Sequence, residues 1–224
     1  MPYHIDLATI PIDSYREKLR TAYLPPSRKT IRERLEERFD LFEKMGVTNV
    51  KELFNLLKKK GKVAELTKLE CFKGDYLTIL LRELNSMLPK PNKISEFKGI
   101  SQEAIKKLEA IGFTNTLKLY PRILTPKARI ELSETTGIPY NHILELAKLT
   151  DLSRIRWVGA TFARMLYDLG IDSLEKAANV NPETLHQQLN ELNAKANYFK
   201  GHIGLNDIRI FVQIAGEVPV KVEF

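Results

Sequence analysis

The chain has 224 residues, 43% hydrophobic and 28% charged, which suits one large or two small domains with a real core and excludes wholesale disorder. Lys and Arg number 35 against 28 Asp and Glu, and the resulting charge of +7 favours a polyanionic partner. No apolar run approaches the roughly 18–20 residues that cross a bilayer, the N-terminus has no basic segment leading into an apolar one, and the single Cys71 cannot form an internal disulfide. A cytoplasmic protein with no membrane partner is expected.

Residues 1–26, including Pro11-Ile12-Asp13-Ser14, read as an N-terminal arm with a short helix. Residues 27–88 read as a helical unit. Ser27, after Pro25-Pro26, is placed to cap a helix on which Ile31, Leu35, Phe39, Phe42 and Met45 recur every three or four residues, the spacing of one helix face. Charge is not gathered in a tail: residues 1–90 hold 18 Lys and Arg against 13 acids, and residues 91–224 hold 17 against 15. Its steepest run is Lys58-Lys59-Lys60 with Lys62, read as a helix end before Gly61, where cations suit the helix dipole. Cys71, between Leu69 and Phe72, reads as a small buried hydrophobe. Pro89-Lys90-Pro91-Asn92-Lys93 reads as a linker over residues 89–93. Residues 94–216 form one compact domain of two units, about 94–152 and 153–216, followed by a tail, 217–224, whose alternating Val218, Val220 and Val222 suggest an extended strand.

An internal repeat underlies this division. Phe42-Glu43-Lys44-Met45-Gly46-Val47-Thr48-Asn49 matches Leu108-Glu109-Ala110-Ile111-Gly112-Phe113-Thr114-Asn115, and Leu166-Tyr167-Asp168-Leu169-Gly170-Ile171-Asp172-Ser173 is a third copy. Each copy ends a helix on a Gly suited to the left-handed position that closes it, and the next apolar residue packs back. Thr48, Thr114 and Asp172 are expected to cap the following helix, with Glu175 completing a capping box on Asp172. Leu53, Leu119 and Ala177 follow at one offset and are expected in the core. Thr125-Pro126 and Asn181-Pro182 each set a cap before a Pro at the first helical position, and Gly74, Gly137 and Gly204 mark a further turn in each unit. About four short helices per unit give an all-α fold of tandem repeats.

The segments entering the second and third units, Ile94 to Leu108 and Leu152 to Leu166, resemble the helix-hairpin-helix superfamily in length and in their Gly–apolar core. Residues 93–216 as a whole resemble a bacterial domain-of-unknown-function family with tandem helix-hairpin-helix-like units, short bundles of the SAM-domain-like kind. In that superfamily, hairpin glycines let backbone N–H groups approach a phosphate, with flanking cations indifferent to sequence. Here the second unit has Gly99 at the first glycine position and Ser101 at the second; the third has Trp157 and Gly159; the first has Leu35 at the second position, within what reads as continuous helix. The resemblance implies a nucleic-acid site of Lys98, Gly99, Ile100, Ser101, Lys106 and Lys107 on the second unit and Arg154, Arg156, Gly159, Thr161 and Arg164 on the third. Ser101 and Thr161 either cap their helices or donate a hydroxyl to phosphate. Trp157, the sole tryptophan, either contacts a partner by stacking or plugging a pocket, or is buried as a wedge between units.

The residues carry no sign of catalysis. His4, His142, His186 and His202 are scattered, and none stands at ligand spacing with another His, Cys or carboxylate. Phosphate-loop, dinucleotide and nucleophile-elbow motifs are missing. Glu33, Glu36, Glu37 and Asp40 alternate with Arg32, Arg34 and Arg38 as an exposed ion-paired face, not as an acid–base dyad. The expectation is a non-enzymatic binding protein with no metal, cofactor or small-molecule substrate. Its partner is DNA or another nucleic acid held without sequence preference, or else a protein docked on a scaffold of degenerate hairpins.

Overall fold

A computed structural model describes residues 3–224, and the regular elements among them are all helices. The fold is all-α. The chain divides into two bodies, the first ending at Leu88 and the second spanning Pro89–Phe224. Residues 1 and 2 of the expected arm lie outside the described residues.

The N-terminal body contains α1 (Ile12–Thr21), α2 (Leu35–Lys44), α3 (Val50–Lys58), α4 (Lys60–Leu66) and α5 (Tyr76–Ser86). Phe39, Phe42 and Phe72 are wholly buried and form a chain of rings, with Phe39–Phe42 centroids 5.7 Å apart and Phe42–Phe72 5.1 Å. Cys71 is buried beside them. The arm is part of this body rather than an appendage: Leu7, Ile12, Tyr15 and Leu19 lie in the same core. Its backbone bonds define the first unit. Ile12 N–H donates to Thr48 O and Val50 N–H to Ile10 O, both at 3.0 Å. In the C-terminal body Ile94 N–H donates to Thr114 O (3.3 Å) and Thr116 N–H to Asn92 O (2.9 Å). The identical pattern makes residues 10–12 the opening limb of unit one, with α1 and the 3-10 turn Pro26–Arg32 inserted after it.

The expected continuous helix from Ser27 to Met45 is interrupted. Its first half is the 3-10 turn, Arg34 takes a left-handed φ of 50°, and α2 starts only at Leu35. Ile31, Leu35, Phe39 and Phe42 remain buried, but Met45 is exposed. Gly61 does not end a helix either. The helix α3 stops at Lys58 and α4 restarts at Lys60, so Gly61 is its second residue.

The C-terminal body contains α6 (Gln102–Ala110), α7 (Thr116–Leu119), α8 (Pro126–Thr136), α9 (Tyr140–Leu152), α10 (Ala160–Asp168), α11 (Leu174–Asn179), α12 (Pro182–Ala196) and α13 (Leu205–Ala215). The expected linker is held in place at its end: beyond the two backbone bonds, Asn92 N–H donates to Thr116 Oγ1 at 3.1 Å. The tail forms no strand. It lies on the body through Glu223 N–H to Leu124 O (2.8 Å), with Val222 buried.

The repeat turns share one hydrogen-bond pattern. Val47, Phe113 and Ile171 N–H donate back to Phe42, Leu108 and Leu166 O, while Gly46, Gly112 and Gly170 N–H donate to Glu43, Glu109 and Tyr167 O. This is the Schellman closure, which requires a left-handed C′ residue, and the glycines have φ of 84°, 92° and 79°. The next cap falls one residue later than expected: Asn49, Asn115 and Ser173 accept from Glu52, Lys118 and Lys176 N–H at 3.0, 3.0 and 3.2 Å. These three residues have the extended φ/ψ of an N-cap. Asp172, the expected cap, instead pairs with Lys148 and Lys176. Leu53, Leu119 and Ala177 are wholly buried.

Gly46 and Gly61 stand in the same body, and neither has an atom within 4 Å of where a Cβ would lie. Backbone conformation alone therefore decides the effect of alanine. Gly46→Ala is expected to cost about 1–2 kcal/mol, the left-handed penalty. Gly61→Ala, in a right-handed helix, is expected to stabilise by about 0.4–1 kcal/mol. Urea denaturation of the two variants checks the opposite signs.

Candidate nucleic-acid interface

The segments entering α6 and α10 have similar backbones built from different residues. Before α6, Gly99 takes φ 87°, Ile100 is buried, and Ser101 caps the helix by accepting Ala104 N–H at 3.1 Å. Before α10, Trp157 takes φ 65°, Val158 is buried, and Gly159 is the N-cap residue with no side chain to bond the first turn. The first glycine position is thus left-handed in both, although one copy fills it with the largest side chain. Trp157 is 49% exposed, which overturns the wedge between units. Thr161 lies at the second helical position of α10 and is not its cap.

An α-helix leaves its first four N–H groups without an intrahelical acceptor. In α6 Ser101 satisfies one. In α10 no side chain caps Gly159, Ala160, Thr161 or Phe162, so the positive end of that helix lacks a side-chain acceptor next to Trp157.

The cations divide into buried and exposed sets. Arg154 is buried, ion-paired with Asp151, and donates to Pro219 O at 2.9 Å with its guanidinium 4.8 Å from the Tyr120 ring centre. It is a staple between the tail and the helices and has no surface to offer a ligand. Arg164 donates to Asp168 (2.8 and 2.6 Å), to Glu145 and to Lys98 O (3.3 Å). Its Nη1 lies 3.1 Å from where a Cβ on Gly99 would stand, so Gly99 is also the residue that lets the two units approach. Arg156 is largely buried, 3.8 Å from the Glu217 carboxylate and 5.1 Å from the Trp157 ring centre. Lys107 pairs with Glu103 at 2.7 Å and reaches Gly137 O at 3.3 Å. Lys98 and Lys106 are exposed, Lys98 with its Nζ 5.0 Å from the Tyr198 ring centre.

Spatial neighbours complete the picture that sequence reading missed. Tyr198 donates its hydroxyl to Asp168, and Asn92 Oδ1 lies 4.0 Å from where a Gly159 Cβ would be. Neither could be found from local motifs, because each partner is remote along the chain. His186 and His202 also meet, with ring centres 5.9 Å apart and His186 Nε2 donating to Ile203 O at 2.8 Å. Among the described residues no three His, Cys, Asp or Glu could hold a metal ion, and no helix is long and apolar enough to cross a membrane.

Two successive helical units joined through the buried Arg154 and the half-buried Arg164, each entered by a left-handed turn, define a helical repeat protein with an exposed turn on its last unit. The chain belongs to the family described as Domain of unknown function (DUF4332), whose model matches residues 98–218. Neither a curated protein nor a solved structure matches the chain.

Asp151 offers a test of the buried pair. Burial pushes its carboxyl up to about 6, against the opposing pull of Arg154. The folded state therefore holds this proton more tightly than the unfolded chain. The group's stabilising contribution is full below about pH 4, the unfolded pKa, and is lost as pH rises through about 6. Carboxyl ¹³C shifts are expected to show Asp151 titrating near 6; a midpoint at or below 4 would mean the ion pair outweighs burial.

Proposed function

We propose that the chain is a non-enzymatic binding protein whose third unit holds nucleic acid, preferentially single-stranded, by stacking a base on Trp157 and seating the adjoining phosphate at the start of α10. The observation that carries this reading is the conformation of Trp157. A bulky residue at φ 65° is uncommon and costs about 1–2 kcal/mol against glycine, yet this one is half exposed. Strain held at an exposed aromatic is better explained by recognition than by packing. N–H groups without a side-chain cap follow within a few residues, so a stacking surface and a helix start lie close together, while Arg156 beside the ring is largely buried and paired with Glu217. The resemblance to helix-hairpin-helix proteins and the charge of +7 point the same way.

One set of observations favours the second reading, a protein-docking scaffold. Arg154 and Arg164 are committed to internal carboxylates, and Ile111, Leu117, Ile130 and Tyr140 are exposed on the same body.

Trp157 is the only tryptophan, so its emission reports directly on the site. Oligonucleotides are expected to quench it, and Trp157→Gly is expected to weaken single-strand binding in fluorescence anisotropy by about 5- to 100-fold, the worth of one stacked base. Folding stability should stay within about 1 kcal/mol, since glycine relieves the left-handed strain while removing partly buried ring surface. Absence of quenching at low salt would sink the nucleic-acid reading in favour of the scaffold.

A further inference from the structure

The lysine run of the N-terminal body lies at the corner between α3 and α4, where Lys59 both follows the end of α3 and precedes the start of α4. Lys58, Lys59, Lys60 and Lys62 are all exposed. Lys58 ends α3, where a cation suits the dipole, and its Nζ lies 3.9 Å from the Phe54 ring centre. Lys59 is the N-cap residue of α4, makes no side-chain cap bond, and is followed by Lys60 and Lys62 in a first turn without any acid. Cations there face the positive end of α4, although Lys59, the C-cap residue of α3, also faces that helix's negative end, and crowded like charges repel. Lys62 has a partial remedy in Glu65 at 2.8 Å, but among the described residues no carboxylate pairs with Lys59 or Lys60. Lys51 is exposed two turns before Lys58 on the same stripe of α3.

Exposed lysines crowded at such a corner repel one another and are favourable against a polyanion. We infer that it is a second docking surface, for the phosphodiester backbone of nucleic acid. Charge complementarity selects this occupant. A backbone with a charge every roughly 3.4 Å per strand meets closely spaced, flexible ammonium groups in any register. An arginine fork, which would impose geometry on a single carboxylate or phosphate, is missing from the run. A bilayer fits poorly, because the large apolar residues of α4 turn inward: Leu66 is buried and Val63 half-buried. The surface lies outside residues 98–218 and does not rest on the Trp157 reading.

The test uses the full chain carrying Lys59→Ser/Lys60→Glu. Serine suits the extended N-cap conformation and glutamate the first turn, so the urea midpoint of the N-terminal body should hold or rise. Binding to both duplex and single-stranded DNA should weaken by about tenfold at low salt, and the slope of log affinity against log salt should fall by about 2. Loss of DNA affinity with a retained midpoint, while Trp157→Gly leaves duplex binding intact, supports the surface even if the Trp157 reading fails. Unchanged affinity and slope in the lysine variant overturn it, whatever Trp157→Gly does. A lower midpoint overturns the dipole argument and the proposal with it. Vesicles containing phosphatidylserine are the control: if the substitutions abolish vesicle binding but leave DNA binding unchanged, the surface is a membrane contact and the proposal falls.

Discussion

The junctions that repeat along the chain depend on a residue held in the left-handed region of backbone space. Gly46, Gly112 and Gly170 close one helix and re-aim the chain, and Gly99 and Trp157 do the same before the next. For an L-residue with a side chain that conformation places Cβ against the following carbonyl, at a cost of about 1–2 kcal/mol. Glycine avoids the cost, which is why it marks the repeat. The exceptions are informative for the same reason. Arg34 and Asn197 take the conformation at a helix start and a helix end, and asparagine tolerates it through local hydrogen bonding. Trp157 has no such relief. Its neighbours Ile155 and Val158 are buried and Arg156 nearly so, and they hold the backbone while the ring faces solvent. The turn is over-determined by packing on either side of the residue that strains it.

A second constraint sorts the basic residues by type. The guanidinium fork satisfies several acceptors from one position, and four arginines, Arg38, Arg129, Arg154 and Arg156, are buried. Arg38 donates to Cys71 O and Glu33 O under the Tyr76 ring, Arg129 donates to Ile123 O, and Arg154 and Arg164 join the second and third units. Lysines, with a compact and strongly hydrated charge, stay outside. The exposed positive surface is mainly lysine, with Arg20, Arg32, Arg34, Arg82 and Arg122 among it. Flexible point charges suit partners recognised by charge density rather than by pattern, and the proposed contact at Lys58–Lys62 is of that kind.

Much of the fold was legible. Helical apolar spacing, the three Gly–apolar junctions, and the Thr125-Pro126 and Asn181-Pro182 starts are all local signals, and each marks a helix boundary in the structure. The cap positions were read one residue early because Thr48 and Asn49 have nearly equal capping power. Which one caps depends on which has extended dihedrals, and the backbone pairing with residues 10–12 settles that. The break at Arg34 was illegible because Ile31, Leu35 and Phe39 keep helical spacing across it. The candidate site was legible as a stretch of chain but not as a surface, since Arg154 and Arg164 look like free cations until Asp151, Glu145 and Asp168 are seen beside them.

The sequence by itself determined that the protein is helical, repetitive, basic and turned at glycines, because those properties follow from periodicity and from the backbone freedom of single residues. The tertiary structure decided which charges are free, whether the tryptophan is inside or outside, and that residues 10–12 belong to the first unit. Those outcomes depend on pairings across tens of residues. Burial and ion pairing are properties of neighbours in space, and the chain's linear order does not contain them.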